Sequence, residues 1–127
     1  MLPLNYAPAW ITASVLLVAA VLYASLAPLE LPPAPSHFDK VEHALAYACL
    51  TLWFTGLVAR HRYGRVAVAL AALGLAIEIL QQSMPFGRQG DPWDMAANLA
   101  GIGAGLAVAR WTTGGWAPRI EAWLKRR

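Results

Sequence analysis

Charge is scarce in this chain. Only 13% of its 127 residues are Asp, Glu, Lys or Arg, while 58% are hydrophobic, a balance too apolar for an ordinary soluble domain and a length suited to a single one. Cysteine is scarcer still. The lone Cys49 sits in an apolar run, which excludes an intramolecular disulfide and suggests a small packing residue. Glycine-rich phosphate loops, Cys/His clusters with zinc spacing, internal repeats and low-complexity segments are all missing, and no cofactor is expected. The basic residues flank apolar runs and do not interleave with aromatics, so nucleic acid is excluded as a partner.

What the chain does have is a series of apolar runs. The first, Ala9 to Ala27, is nineteen residues without a charge, long enough to cross about 30 Å of hydrocarbon as a helix. Ser25-Leu26-Ala27 would fit a signal-peptide cleavage site, but no Lys or Arg precedes the run and Pro28 follows it, so a retained span is the better reading. Pro28, Pro32, Pro33 and Pro35 then make an extended connector. The second run, Ala44 to Ala59, has only sixteen residues, and the third, Val66 to Leu80, has fifteen and is broken by Glu78. To reach about twenty residues, the second must take in its polar start and the third must take in Glu78, Gln81 and Gln82. Asp39 with Glu42 predicts the cap and first turn of the second helix; Asp91, Pro92 and Asp94 predict those of the fourth.

The expected fold is therefore an all-α membrane protein: one domain over residues 1–127, with four transmembrane helices in a small bundle at about 9–27, 40–59, 66–84 and 92–110. A short interfacial amphipathic helix is expected at about 116–126, with Trp116, Ile120, Trp123 and Leu124 on one face against Arg119, Lys125, Arg126 and Arg127. Eight Lys or Arg residues flank one side (Arg60, Arg62, Arg65, Arg110, Arg119, Lys125, Arg126 and Arg127), against Lys40 and Arg88 on the other. By the positive-inside rule both termini are expected to be cytoplasmic. Six of the seven acids (Glu30, Asp39, Glu42, Glu78, Asp91 and Asp94) then lie on the outer side.

Positions three or four apart share a helix face. Lys40, His43 and Tyr47 align on the second helix; Gly74, Glu78, Gln81 and Pro85 on the third; Asp94, Asn98, Gly101 and Gly105 on the fourth. Polar groups at membrane depth are costly and are expected to face inward and find partners. The candidate binding set is Asp39, Lys40, His43, Tyr47, Glu78, Gln81, Arg88, Asp94 and Asn98. Plainer roles stand beside this one. Asp39 and Asp91 could only cap helices, Lys40 and Arg88 anchor at the interface, and Asn98 bond two helices together. Glu78, about two turns from the loop, fits a plain role least; pairing with Lys40, His43 or Arg88, or protonation, would account for it.

Asp39-Lys40-x-x-His43-x-x-x-Tyr47, then Glu78-x-x-Gln81, Pro85 and Arg88, then Asp94-x-x-x-Asn98-x-x-Gly101-x-x-x-Gly105 resembles the VanZ-like membrane proteins, named for a teicoplanin-resistance protein. The resemblance spans roughly residues 36 to 107. One departure is Pro85-Phe86-Gly87-Arg88, where Pro-Gly-Arg is the more frequent form. It implies a small bacterial inner-membrane protein of the cell envelope, in some members lowering teicoplanin susceptibility, and supplies no reaction.

Three functions follow as expectations. In the first, an outward pocket recognises a polar head group: a lipid-linked wall precursor, a phospholipid or a glycopeptide, with Lys40 and Arg88 on phosphate or carboxylate oxygens. In the second, His43 with Glu78 or Asp94 performs acid–base chemistry on a lipid-linked substrate, with a divalent cation on Asp39, Glu78 and Asp94 as an option. No nucleophile is evident for it. In the third, the cluster only locks the bundle or a homo-oligomer. Membrane lipids are the expected surroundings in all three.

Overall fold

The computed structural model describes residues 2–27, 36–84 and 91–126. Every regular element among them is helical: α1 (Ala7–Leu26), α2 (Ser36–Leu57), a 3-10 turn (Arg60–Arg62), α3 (Tyr63–Ser83), α4 (Pro92–Val108), a π turn (Ala109–Thr113) and α5 (Trp116–Leu124). The predicted runs are all present, each shifted by a few residues. The proline connector, Pro85 and Arg88 lie outside the described residues.

Local chemistry explains most of the boundaries. Proline in the first turn starts α1, where its missing N–H costs nothing. Asp91 caps α4 as expected, its side chain accepting the Trp93 amide at 2.9 Å ahead of Pro92. Asp39 is not a cap. Helix α2 begins at Ser36, as soon as the proline run ends, which puts Asp39 inside the first turn and leaves Glu42 exposed one turn on. After α4, the Gly114 amide closes a wide turn onto the Ala109 carbonyl at 2.9 Å, and Gly115 adopts φ 72°. That left-handed conformation suits glycine and reverses the chain into α5.

Among the described residues, two helices are long and apolar enough to cross a membrane: Ala7–Leu26 and the stretch Arg60–Ser83. The other two expected spans fall short of that standard for identifiable reasons. Helix α2 carries Asp39, Lys40, Glu42 and His43 in its first turns, and α4 has 17 residues, reaching about 25 Å.

Helices α2 and α4 pack directly against each other and run parallel. Gly101 rests on the Ala44 backbone, and a Cβ at Gly105 would lie 2.7 Å from the Thr51 Cβ and 2.9 Å from the Ala48 carbonyl oxygen. This is the small-xxx-small contact expected of the fourth helix. Buried Thr51 and Thr55 fit the seam because each hydroxyl donates to its own helix, to Tyr47 O and Thr51 O, at 2.7 Å. Helix α3 runs antiparallel to this pair. Its Gly74 admits the Tyr47 and Asn98 side chains, and Tyr47, Leu50, Leu70 and Ile102 form the core between the three helices. Helix α1 adds Leu17 and Val21 to the rim of that core but buries no residue fully.

The two ends of the bundle differ in chemistry. At one, Trp10, Trp53 and Trp116 meet edge to face with ring centroids 5.4–5.9 Å apart. At the other, the polar faces of α2, α3 and α4 converge.

Candidate functional site

The spacing of the polar stripes turns them inward. Gly74, Glu78 and Gln81 are buried on α3, as are Asp94, Asn98, Gly101 and Gly105 on α4, with Tyr47 buried on α2. Because α2 and α4 are parallel and in close contact, their first turns lie side by side, and α3 delivers its last turns to the same end. Seven of the nine candidate residues (Asp39, Lys40, His43, Tyr47, Glu78, Asp94 and Asn98) meet there through the contacts below; Gln81 reaches their edge and Arg88 lies outside the described residues.

Lys40 is the hub. Its ammonium donates to Asp91 Oδ2 at 2.6 Å, to Asp94 Oδ1, and to Asp39 Oδ2 at 3.5 Å. This differs from the expected role as a receptor for ligand phosphate: its donors are taken by the protein's own carboxylates. Hydrogen bonds from Lys40 and from the Trp93 amide hold the Asp91 carboxyl below the usual carboxylate range. The second oxygens of Asp39 and Asp94 turn toward His43, whose Nε2 lies 3.7 Å from Asp39 Oδ1 and 3.8 Å from Asp94 Oδ2. The other ring nitrogen, Nδ1, is 3.1 Å from Asn98 Oδ1. A carbonyl oxygen only accepts, so Nδ1 carries a hydrogen and donates it.

Glu78 sits beneath this cluster, 5% exposed. Among the described residues it pairs with neither Lys40 nor His43; its Oε2 accepts the Asp91 amide at 3.1 Å, while its Oε1, like the Tyr47 hydroxyl, is buried with no hydrogen-bond partner. Gln81 holds the third side, its amide donating to the Ser25 carbonyl of α1 at 2.9 Å. Gln82, its neighbour, points outward.

A cavity of about 160 Å³ opens beside the cluster between α1, α2 and α3, walled by Val21, Ser25, Asp39, Glu42, His43, Tyr47 and Gln81. Its polar wall is rich in acceptors. A larger cavity of about 330 Å³ lies nearer the basic turn, lined by Val18, Phe54, Leu70 and Leu73 with Arg62 and Arg65, and holds none of the acids.

One important residue has no place in the sequence reading. Glu121 on α5 is 2% exposed and takes hydrogen bonds from the Asn5 and Tyr6 amides, the Asn5 side chain and the Trp10 indole, at 2.8–2.9 Å. Burial alone would raise its pKa, but these donors outweigh burial and bring it down to about 2. The available signal was its isolation, as the one acid in a basic flank, four residues after buried Ala117 and so on the same helix face. The expected apolar face of α5 is divided: Trp116 turns in to donate to the Leu52 carbonyl at 2.9 Å, while Ile120, Trp123 and Leu124 stay exposed. Cys49, expected to pack, is exposed as well.

Fold and site together define an all-helical protein with a carboxylate–lysine–histidine–amide cluster at one end of its bundle. Comparison of the chain with family models, with curated proteins and with solved structures finds no match.

Proposed function

We propose that the chain is a four-span, VanZ-like protein of a bacterial inner membrane, with both termini cytoplasmic and its polar end outward, where it binds the head group of an envelope lipid or lipid-linked precursor. The observation that carries this reading is the cavity wall, in which Asp39, Glu42, His43, Tyr47 and Gln81 stand together beside the carboxylate cluster.

A membrane setting is supported by the surface. Leu16 is 64% exposed, Leu45 60% and Val68 71%, on three different helices. Large apolar side chains exposed on three helices call for a cover, and lipid covers all helices at once. With that cover the polar first turns of α2 and α4 sit at the interface.

The chemistry of the pocket favours a particular kind of ligand. Asp39, Asp91, Asp94 and Glu78 outnumber Lys40 and His43, so the site attracts donors: an ammonium, sugar hydroxyls or peptide amines. Phosphoethanolamine lipids, sugar-bearing isoprenoid diphosphates and the amines of a glycopeptide such as teicoplanin share that chemistry. The test is native mass spectrometry of the detergent-purified chain offered phosphatidylethanolamine, an isoprenoid diphosphate sugar and, as the head group with neither amine nor alcohol, phosphatidic acid. Retention of an amine- or hydroxyl-bearing lipid by the wild type, weakened about tenfold or more by Asp39→Asn and by Gln81→Ala, is expected, a loss of about 1.4 kcal/mol. Equal retention of all three lipids by all proteins would contradict it.

A further inference from the structure

Two of the three carboxylates on Lys40, those of Asp39 and Asp94, use one oxygen on the ammonium and leave the other facing His43. Lys40 takes Asp94 Oδ1 and Asp39 Oδ2; Asp94 Oδ2 and Asp39 Oδ1 remain. Asn98 accepts the hydrogen on Nδ1, so Nε2 is the coordinating position left on the ring, and it faces two anionic oxygens at 3.7 and 3.8 Å. Three lone-pair donors pointed at one another repel unless a cation lies between them.

We propose that Asp39, His43 and Asp94 form a site for a divalent transition cation of the Zn²⁺ or Mn²⁺ type. The three donor atoms lie within 4.8 Å of one another. Bonds of about 2.1 Å at tetrahedral angles bring ligands to about 3.4 Å apart, so the two His43 contacts need tighten only by a few tenths of an ångström, and the two carboxylate oxygens, within 4.8 Å of each other, close the rest by side-chain rotation. An imidazole with two carboxylates selects transition ions over Ca²⁺ or Mg²⁺, whose ligands are oxygens. The Asn98 contact is the outer hydrogen bond that metal-binding histidines generally make.

A second observation points the same way. Glu78 Oε1 is buried without a partner among the described residues, and Glu78 is within electrostatic reach of both Asp94 and His43. Water coordinated to the ion is the donor that oxygen lacks. With three protein ligands, a fourth position stays open for water or a ligand, and Asp39 and His43 also wall the cavity. A phosphate oxygen could then be received by a cluster that, without the ion, repels it.

The inference shares its residues with the pocket of the proposed function but does not depend on that pocket's ligand. Its test is metal binding by the full chain in detergent, stripped with EDTA and titrated with Co²⁺ and Zn²⁺. One ion per chain is expected, with Co²⁺ absorption of a nitrogen–oxygen site, and affinity lowered at least about tenfold in His43→Ala and in Asp39→Asn. Asp39 is half-exposed, so its variant tests the site even where His43→Ala does not fold. Gln82→Ala, at an outward-facing position of α3 away from the cavity wall, leaves affinity unchanged. No retained ion, which would leave a proton as the only cation on Nε2, overturns the inference, as does equal affinity in both variants. Lipid retention by metal-free protein without metal binding overturns this inference and leaves the head-group reading intact; metal binding without lipid retention does the reverse.

Discussion

At the scale of single residues, two charged groups do most of the organising, and they sit at opposite ends of the bundle. Lys40 holds three aspartates that would otherwise repel one another. Lys40→Met should therefore destabilise the fold, by roughly 1–3 kcal/mol since the cluster is only partly buried. Adding Asp94→Asn to that variant should recover part of the loss in chemical denaturation. Glu121 ties α5 to the start of α1 through four donors, none of which another residue replaces. Its pKa is lower in the folded than in the unfolded chain, so its contribution is full above the ordinary carboxylate range and is lost as pH falls from about 4.5 toward about 2. Melting curves of the wild type should fall across that window beyond those of Glu121→Gln. That variant should already melt several degrees lower at pH 7, because an amide cannot accept all four bonds. Identical pH profiles would mean that the latch contributes nothing.

Among the elements, α2 and α4 carry the site and the closest packing, whereas α1 and α3 carry the hydropathy. The inward stripes were readable from the sequence because spacing by three and four is dictated by helix geometry and does not depend on what surrounds the helix. Gly101 and Gly105 were readable for the same reason. The start of α2 was not: Asp39 and Glu42 have the spacing of a cap and its partner, but the end of the proline run three residues earlier is the stronger constraint. The partners of Lys40 were hidden because its contacts to Asp91 and Asp94 join positions more than 50 apart in the chain. Glu121 was hidden because two of its four donors are backbone amides, which leave no trace in residue type, and all of them lie more than 110 positions away in the chain. Gly101→Val should test the seam directly. The added side chain would press on the Ala44 backbone, which cannot move aside, so a cost at or above the usual 1–3 kcal/mol of overpacking is expected. The measured stability of Gly103→Val, at an open position on the same helix, gives the control.

For the whole molecule, the account depends on direction. The termini, the basic turn and the tryptophan cluster share one end, and the carboxylate cluster occupies the other. In a Cys49→Ala background, Glu42→Cys should react with a membrane-impermeant maleimide added outside intact cells, and Lys125→Cys only after lysis. Reaction of both from outside, or of neither, would contradict the proposed topology. The parallel contact of α2 and α4 is what gathers the polar turns at one end of the bundle. A bundle with these helices antiparallel would place Lys40 and Asp94 about a membrane thickness apart.

The most direct test is the native mass spectrum of the purified wild-type chain and its Asp39→Asn variant with the three lipids. The account predicts an amine- or hydroxyl-bearing lipid on the wild type that is largely lost from the variant, while both proteins melt alike. A wild-type spectrum without retained lipid, or lipid held equally by both, would contradict it.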